Sequence, residues 1–197
     1  MLVLAPGMPV WDLAQHVAWL AAVTIAATKG CAILIPVLLL AAWFRPAGLR
    51  CVLAAVTALI LVIAVRQAFV AVSFVPRPFV TYHFQPLYPH SPDSAFPSLT
   101  TSYFSAVAVP AWRTWRPLGW LAAAMTVEVA FGCVYVGVHY GTDVVAGAAI
   151  GAGCGLAAWL LFGWGPVAWL VGNADAGLRK LRLRPRYRLR PEAAAGA

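Results

Sequence analysis

Charge is what this sequence has least of. Only 10% of its 197 residues are charged and only six are acidic, whereas 62% are hydrophobic and the mean hydropathy is +0.82. A soluble domain of this length needs a far more polar surface, so a water-soluble globule is excluded. Period-2 alternation is also lacking, which excludes the strands of a transmembrane barrel. The four cysteines (Cys31, Cys51, Cys133, Cys154) lie in or beside apolar runs without metal-ligand spacing, and read as packing residues. No basic region precedes the first apolar run, so no signal peptide is expected.

What is present is a series of long apolar runs separated by short polar breaks. In lipid, a chain without barrel strands must satisfy its backbone within helices. The runs predict helical segments at about 12–28, 30–44, 50–74, 97–111, 117–138 and 142–171. The expected fold is all-α: a polytopic membrane bundle of about five to six helices, one domain over 1–174 followed by a basic cytoplasmic tail over 175–197. Segments 30–44 and 97–111 fall short of the roughly 20 residues a span needs. Segment 12–28 either continues into 30–44, with a break at Lys29-Gly30, or lies partly in the interface. Gly147, Gly151 and Gly155 recur every four residues in the last segment, which lets a neighbouring helix approach closely.

Basic residues set the expected orientation. Arg45 and Arg50 share one connection, Arg113 and Arg116 another, and seven more fill Arg179 to Arg190. All three groups fall on one side, which the positive-inside rule makes cytoplasmic. The expectation is a multi-pass inner (plasma) membrane protein with the 75–97 connection and the turn near 139–142 on the extracytoplasmic face. The tail, LRKLRLRPRYRLR, reads as an anchor for anionic lipid headgroups. Nucleic acid is not expected as a partner, because no accompanying fold supports it.

Three polar stretches share the outer face. VPRPFV sets Arg77 between two prolines just after a helix, where a planar guanidinium can grip phosphate oxygens. Taken alone, Arg77 reads as an interface anchor. AFPSLTTSYF puts Ser98 at a helix start, where free N–H groups and the dipole favour an anion; taken alone, Ser98 reads as a cap. CVYVGVHYGTDVVAG sets His139 and Asp143 four apart, close enough for the carboxylate to orient the imidazole and leave its other nitrogen as nucleophile or base. Taken alone, the pair reads equally as a structural hydrogen bond at the membrane edge; Gly137 and Gly141 flank the histidine.

In this order, the three stretches resemble the signature of the type 2 phosphatidic acid phosphatase superfamily, most of all its bacterial undecaprenyl-diphosphatase branch. The likeness runs from about residue 60 to 155, and includes the length of the Val75-to-Ser98 connection. The resemblance implies a lipid-phosphate substrate, undecaprenyl (polyprenyl) diphosphate in cell-envelope lipid recycling or another lipid phosphate. It implies that His139 forms a phospho-histidine, that Asp143 holds it, and that Arg77 and Ser98 bind phosphate. It implies no metal and no cofactor, since arginines and N–H groups stabilise the transition state.

The match departs from the family pattern at identifiable positions. The second motif reads Pro97-Ser98-Leu99-Thr100, so the histidine that protonates the leaving group is replaced by Thr100. The Ser-Arg pair that opens the third motif is Gly132-Cys133, so a phosphate-clamping arginine is gone too. A lysine sometimes found seven residues before the first-motif arginine is Val70. General acid catalysis is worth about 10²–10⁴ and one electrostatic clamp about 10²–10³. A phosphorylated leaving group with a pKa near ~6 needs less acid help, so surviving activity is expected to favour lipid diphosphates over monoesters.

Candidates for compensation are few. Arg66 precedes Arg77 by eleven residues, about 16 Å along a helix, which is deep for a clamp. Glu128 lies at a similar remove from His139, and a structural Arg66–Glu128 pair within the bundle is the expectation. His83 and His90 read as solvated loop residues, with a substitute acid as the alternative. Three functions stand at this stage: an altered lipid (di)phosphate phosphohydrolase, a non-catalytic lipid-phosphate-binding pseudoenzyme, and a membrane scaffold.

Overall fold

A computed structural model describes residues 18–87 and 89–185. The first seventeen residues and the tail beyond Pro185 lie outside the described residues, and with them the start of the expected 12–28 segment and most of the expected headgroup anchor. The described chain is helical, with α1 at Ala18–Trp43, α2 at Gly48–Val72, α3 at Pro78–Thr81 and α4 at Leu99–Thr114. It continues through α5 at Arg116–Tyr135, α6 at Gly141–Leu161 and α7 at Gly165–Lys180. Helices α2, α5 and α6 are long and apolar enough to cross a membrane, and Ile33–Trp43 in α1 is a shorter apolar stretch. Their outward faces carry large apolar side chains such as Val127 and Val145, each 70% exposed, as lipid-facing surface requires.

Two boundaries differ from expectation. Lys29-Gly30 does not break the chain: α1 runs through it without interruption. One glycine costs a helix only about 1 kcal/mol relative to alanine, too little to end a run of apolar residues. The segment expected at 142–171 is two helices, because the chain turns at Phe162–Trp164 and Pro166 opens the next helix. Helix α7 has no buried residue.

Helix α4 is short, about 24 Å at 1.5 Å per residue, and is enclosed by α2, α5 and α6. Enclosure lets it be polar. Thr101, Ser102 and Ser105 are buried, and two of their hydroxyls return to the helix backbone: Ser102 Oγ to Ser98 O at 2.7 Å and Ser105 Oγ to Ser102 O at 3.1 Å. The glycine stripe of α6 lies against this face. A Cβ on Gly147 would stand 2.6 Å from Ser98 O, and one on Gly151 would overlap Ser105 Oγ and the Ser102 carbonyl.

The basic groups gather at one end of the bundle. The Arg45 guanidinium stacks 3.6 Å over Trp115, Arg50 donates to Trp159 O at 2.9 Å, and Arg184 donates to the carbonyls of Trp43 and Arg45 at 2.8 Å while pairing with Asp175. The ends of α2, α4, α5 and α6 that bear the phosphatase-like motifs lie at the other end.

The small-residue contact yields a stability prediction. Gly151→Ala should lower the melting temperature in detergent, through an overpacking cost of about 1–3 kcal/mol. Gly153→Ala, whose Cβ would meet nothing within 4 Å, should melt at or slightly above wild type. Equal melting of the two variants would refute the close α4–α6 contact.

Candidate functional site

The site is assembled where α6 and α4 begin and α5 ends. Helix α5 stops at Tyr135, and Gly137 takes φ 80°, a left-handed conformation that suits glycine and reverses the chain. The N–H groups of Val138 and His139 both donate to Cys133 O at 3.2 Å, which fixes the turn. His139 is thereby carried inward and is only 5% exposed. Asp143 follows in the first turn of α6, fully buried, with Oδ2 accepting the Tyr140 N–H at 2.8 Å.

Arg77 lies at the start of α3, held between Pro76 and Pro78, with its guanidinium buried. Nη1 donates to Val138 O at 2.8 Å and stands 3.2 Å from His139 Nε2. Since a guanidinium N–H can only donate, Nε2 is the acceptor and the imidazole proton is assigned to Nδ1. Nδ1 faces Asp143 Oδ2 at 3.5 Å. That is a long contact rather than a formed hydrogen bond. Burial pushes the His139 pKa below its ordinary value; Asp143 opposes the shift, and Arg77 adds to it. The net effect keeps the ring neutral, with its lone pair on the side facing Arg77.

Ser98 is fully buried beside this pair, and its N–H donates to the Asp143 carbonyl at 3.1 Å. Its hydroxyl contacts Thr101 Oγ1 at 3.0 Å and does not cap α4. The first N–H groups of the helix therefore have no side-chain cap, which suits an anion. Thr100, partly buried in that first turn, occupies the position at which the resemblance calls for histidine. Cys133 is buried at the end of α5, where the resemblance calls for arginine, and Gly132 precedes it.

Sequence reasoning missed one participant, Asp93, and gave Arg66 a different partner. Asp93, half exposed in the 75–98 connection, receives Arg77 Nε and Nη2 on Oδ1 and Arg66 Nη2 on Oδ2, all at 2.9 Å. Arg66 also donates to Ser94 O at 3.1 Å. The expected Arg66–Glu128 pair is thus corrected: Arg66 turns to the motif end and converges with Arg77 on one carboxylate. The depth estimate failed because α2 ends at Val72, only six residues past Arg66, and a long side chain covers that distance. Burial tends to raise the Asp93 pKa, but Arg77 and Arg66 outweigh it and hold the carboxyl below the usual carboxylate range. Asp93 sits in irregular chain, where no periodicity announces a partner. His90, read from the sequence as a loop residue with a substitute acid as the alternative, has its ring centre 6.5 Å from that of His139. His83 is exposed, at φ 54°.

A family model described as the PAP2 superfamily matches residues 51–165. Undecaprenyl-diphosphatase BcrC of Bacillus subtilis (strain 168) is 31% identical over 83 residues, 42% of this chain and 43% of that protein, so the match spans less than half of that relative. The crystal structure of Aquifex aeolicus LpxE superposes with a TM-score of 0.63 at 21% identity, over 75% of this chain and 91% of that one. The first transmembrane PAP2 type phosphatidylglycerolphosphate phosphatase from Bacillus subtilis superposes with a TM-score of 0.55 at 20% identity, over 91% and 86%. At these identities the two structures speak to the fold, which is that of membrane PAP2 proteins.

The electrostatics of the histidine are open to measurement. In the folded protein, His139 should titrate below about 6.5, read by NMR of ring-labelled histidine. Asp143→Asn should lower it further, because the carboxylate is what opposes burial. Titration above the ordinary value would refute the buried, Arg77-facing geometry.

Proposed function

Because the chain belongs to the PAP2 superfamily, we propose that it is a membrane lipid-phosphate phosphohydrolase acting on a polyprenyl diphosphate, with undecaprenyl diphosphate as the reference substrate. The observation that carries this reading is Arg77 Nη1 standing 3.2 Å from His139 Nε2, with Asp143 behind the ring. A phosphoryl group held by Arg77 is thereby delivered to the nitrogen that bears the lone pair. His139 attacks phosphorus, Asp143 stabilises the charge that develops on the ring, and a phospho-histidine forms.

Arg66 supports the reading by answering the loss at Cys133. It lies on the face of α2 that carries Val70 one turn later, and it shares Asp93 with Arg77. In the proposed complex the substrate phosphate takes the place of the Asp93 carboxylate, which is 48% exposed and free to move outward. Two arginines and the first N–H groups of α4 then meet the phosphoryl charge without a metal. We place this end of the bundle on the extracytoplasmic face of the inner membrane and the Arg45–Arg50–Arg184 end in the cytoplasm against anionic headgroups.

Thr100 and Cys133 favour a second reading, a pseudoenzyme that binds lipid phosphate without hydrolysing it. Phosphate release from undecaprenyl diphosphate by the purified protein decides between the two. The expected result is turnover that His139→Ala abolishes, together with a kcat/KM lowered about 10²–10³-fold by Arg77→Ala and by a smaller factor in Arg66→Ala. Lipid binding that needs Arg77, with no His139-dependent release, would establish the pseudoenzyme.

A further inference from the structure

Phosphoryl transfer from an ordinary ester needs an acid at the leaving oxygen, and a threonine hydroxyl cannot serve near neutral pH. Resting on the reading above, we propose that His90 is that acid, supplied by the loop between α3 and α4 instead of by the first turn of α4. The ring centres of His90 and His139 lie 6.5 Å apart, edge to face at 76°. Near-attack contact between nucleophile and phosphorus is about 3–3.5 Å, and an acid acts within about 2.6–3.2 Å of the leaving oxygen. Those two contacts and the P–O bond between them add to more than 6.5 Å, so His90 stands beside the nucleophile and a phosphoryl group enters between the rings as the partly exposed His90 side chain shifts outward.

The loop is built to hold His90 there. Its two ends are tied together by the Ala95 N–H on Val75 O at 2.8 Å, and the Leu87 N–H binds Val136 O at 3.2 Å in the very turn that carries His139. His90 Nδ1 lies 3.2 Å from Ser91 O and 3.8 Å from Asp93 Oδ1. A carbonyl only accepts, so Nδ1 carries hydrogen and Nε2 is left for proton exchange. The side chain is 32% exposed, which gives the proton a route to water. The charged or titratable groups facing His90 are Asp93 on its own loop and His139 from the α5–α6 turn. Arg77 and Arg66 stand behind Asp93, and Asp143 behind His139.

The steps balance. The Nε2 lone pair of His139 forms the N–P bond while the P–O bond to the leaving group breaks. That bonding pair goes to the leaving oxygen, which takes the proton from protonated His90 Nε2. Water then attacks phosphorus, neutral His90 takes its proton, and the N–P pair returns to His139 as inorganic phosphate leaves.

Leaving-group dependence separates this role from a structural one. Purified full-length wild type, His90→Gln, His139→Ala and His90→Gln/Thr100→His are compared on an alkyl lipid monophosphate and on p-nitrophenyl phosphate, whose activated leaving group needs little protonation. His90→Gln should lose about 10²–10⁴-fold on the alkyl ester and less than tenfold on the aryl ester, with the basic limb of the alkyl pH profile flattened. The aryl rate reports folding of the same sample, and Thr100→His should restore part of the alkyl rate. Equal losses on both esters, no loss on the alkyl ester, or a wild type that cleaves only the aryl ester would overturn the role of His90 while leaving a His139-dependent phosphatase. Activity confined to undecaprenyl diphosphate would likewise overturn the role of His90, whereas wild-type rates on both esters and on undecaprenyl diphosphate that match His139→Ala would overturn the phosphatase reading, and this proposal with it.

Discussion

The close approach of α4 and α6 is the contact on which the site depends. Glycines 147, 151 and 155 remove the side chains that would hold the helices apart, and α4 answers with Ser98, Ser102, Ser105 and Ala106. In lipid there is little hydrophobic gain in pressing two helices together, so van der Waals fit and satisfied hydroxyls must supply the association. The consequence appears at the helix starts, where the Ser98 N–H reaches the Asp143 carbonyl. One contact thus brings the anion-favouring start of α4 beside the carboxylate that faces His139.

A second constraint is electrostatic. Arg77 is buried and Arg66 nearly so, and buried cations need a partner or a ligand. Asp93 partners both, on a loop that leaves it half exposed. A carboxylate in that position keeps the guanidinium planes aimed at a common point and can still yield to another anion. The same loop carries His90, so the clamp and the proposed acid depend on one segment of irregular chain.

The departures at Thr100 and Cys133 acquire a different meaning in this setting. Read along the chain, they are deletions from a motif. In the proposed reading, an arginine from farther down α2 and a histidine from the 75–98 loop take over the functions those positions would have served. Catalytic groups act as a unit defined by geometry rather than by order, so a site can change which residues supply its charges and protons while the nucleophile stays in place.

Composition and pattern determined a good deal. The scarcity of charge and the long apolar runs required a helical membrane bundle, since only helices close their own hydrogen bonds in lipid. The fixed spacing of His139 and Asp143, the proline-framed Arg77 and the glycine stripe were legible because helices and prolines convert spacing directly into geometry. The continuity of α1 through Gly30 was not, because it depends on a difference of about 1 kcal/mol. Only the tertiary structure decided the partnership of Arg66, Asp93 and Arg77 and the position of His90. These contacts join a helix interior to an irregular loop, and coil has no period from which a contact across 16 or 27 residues can be read.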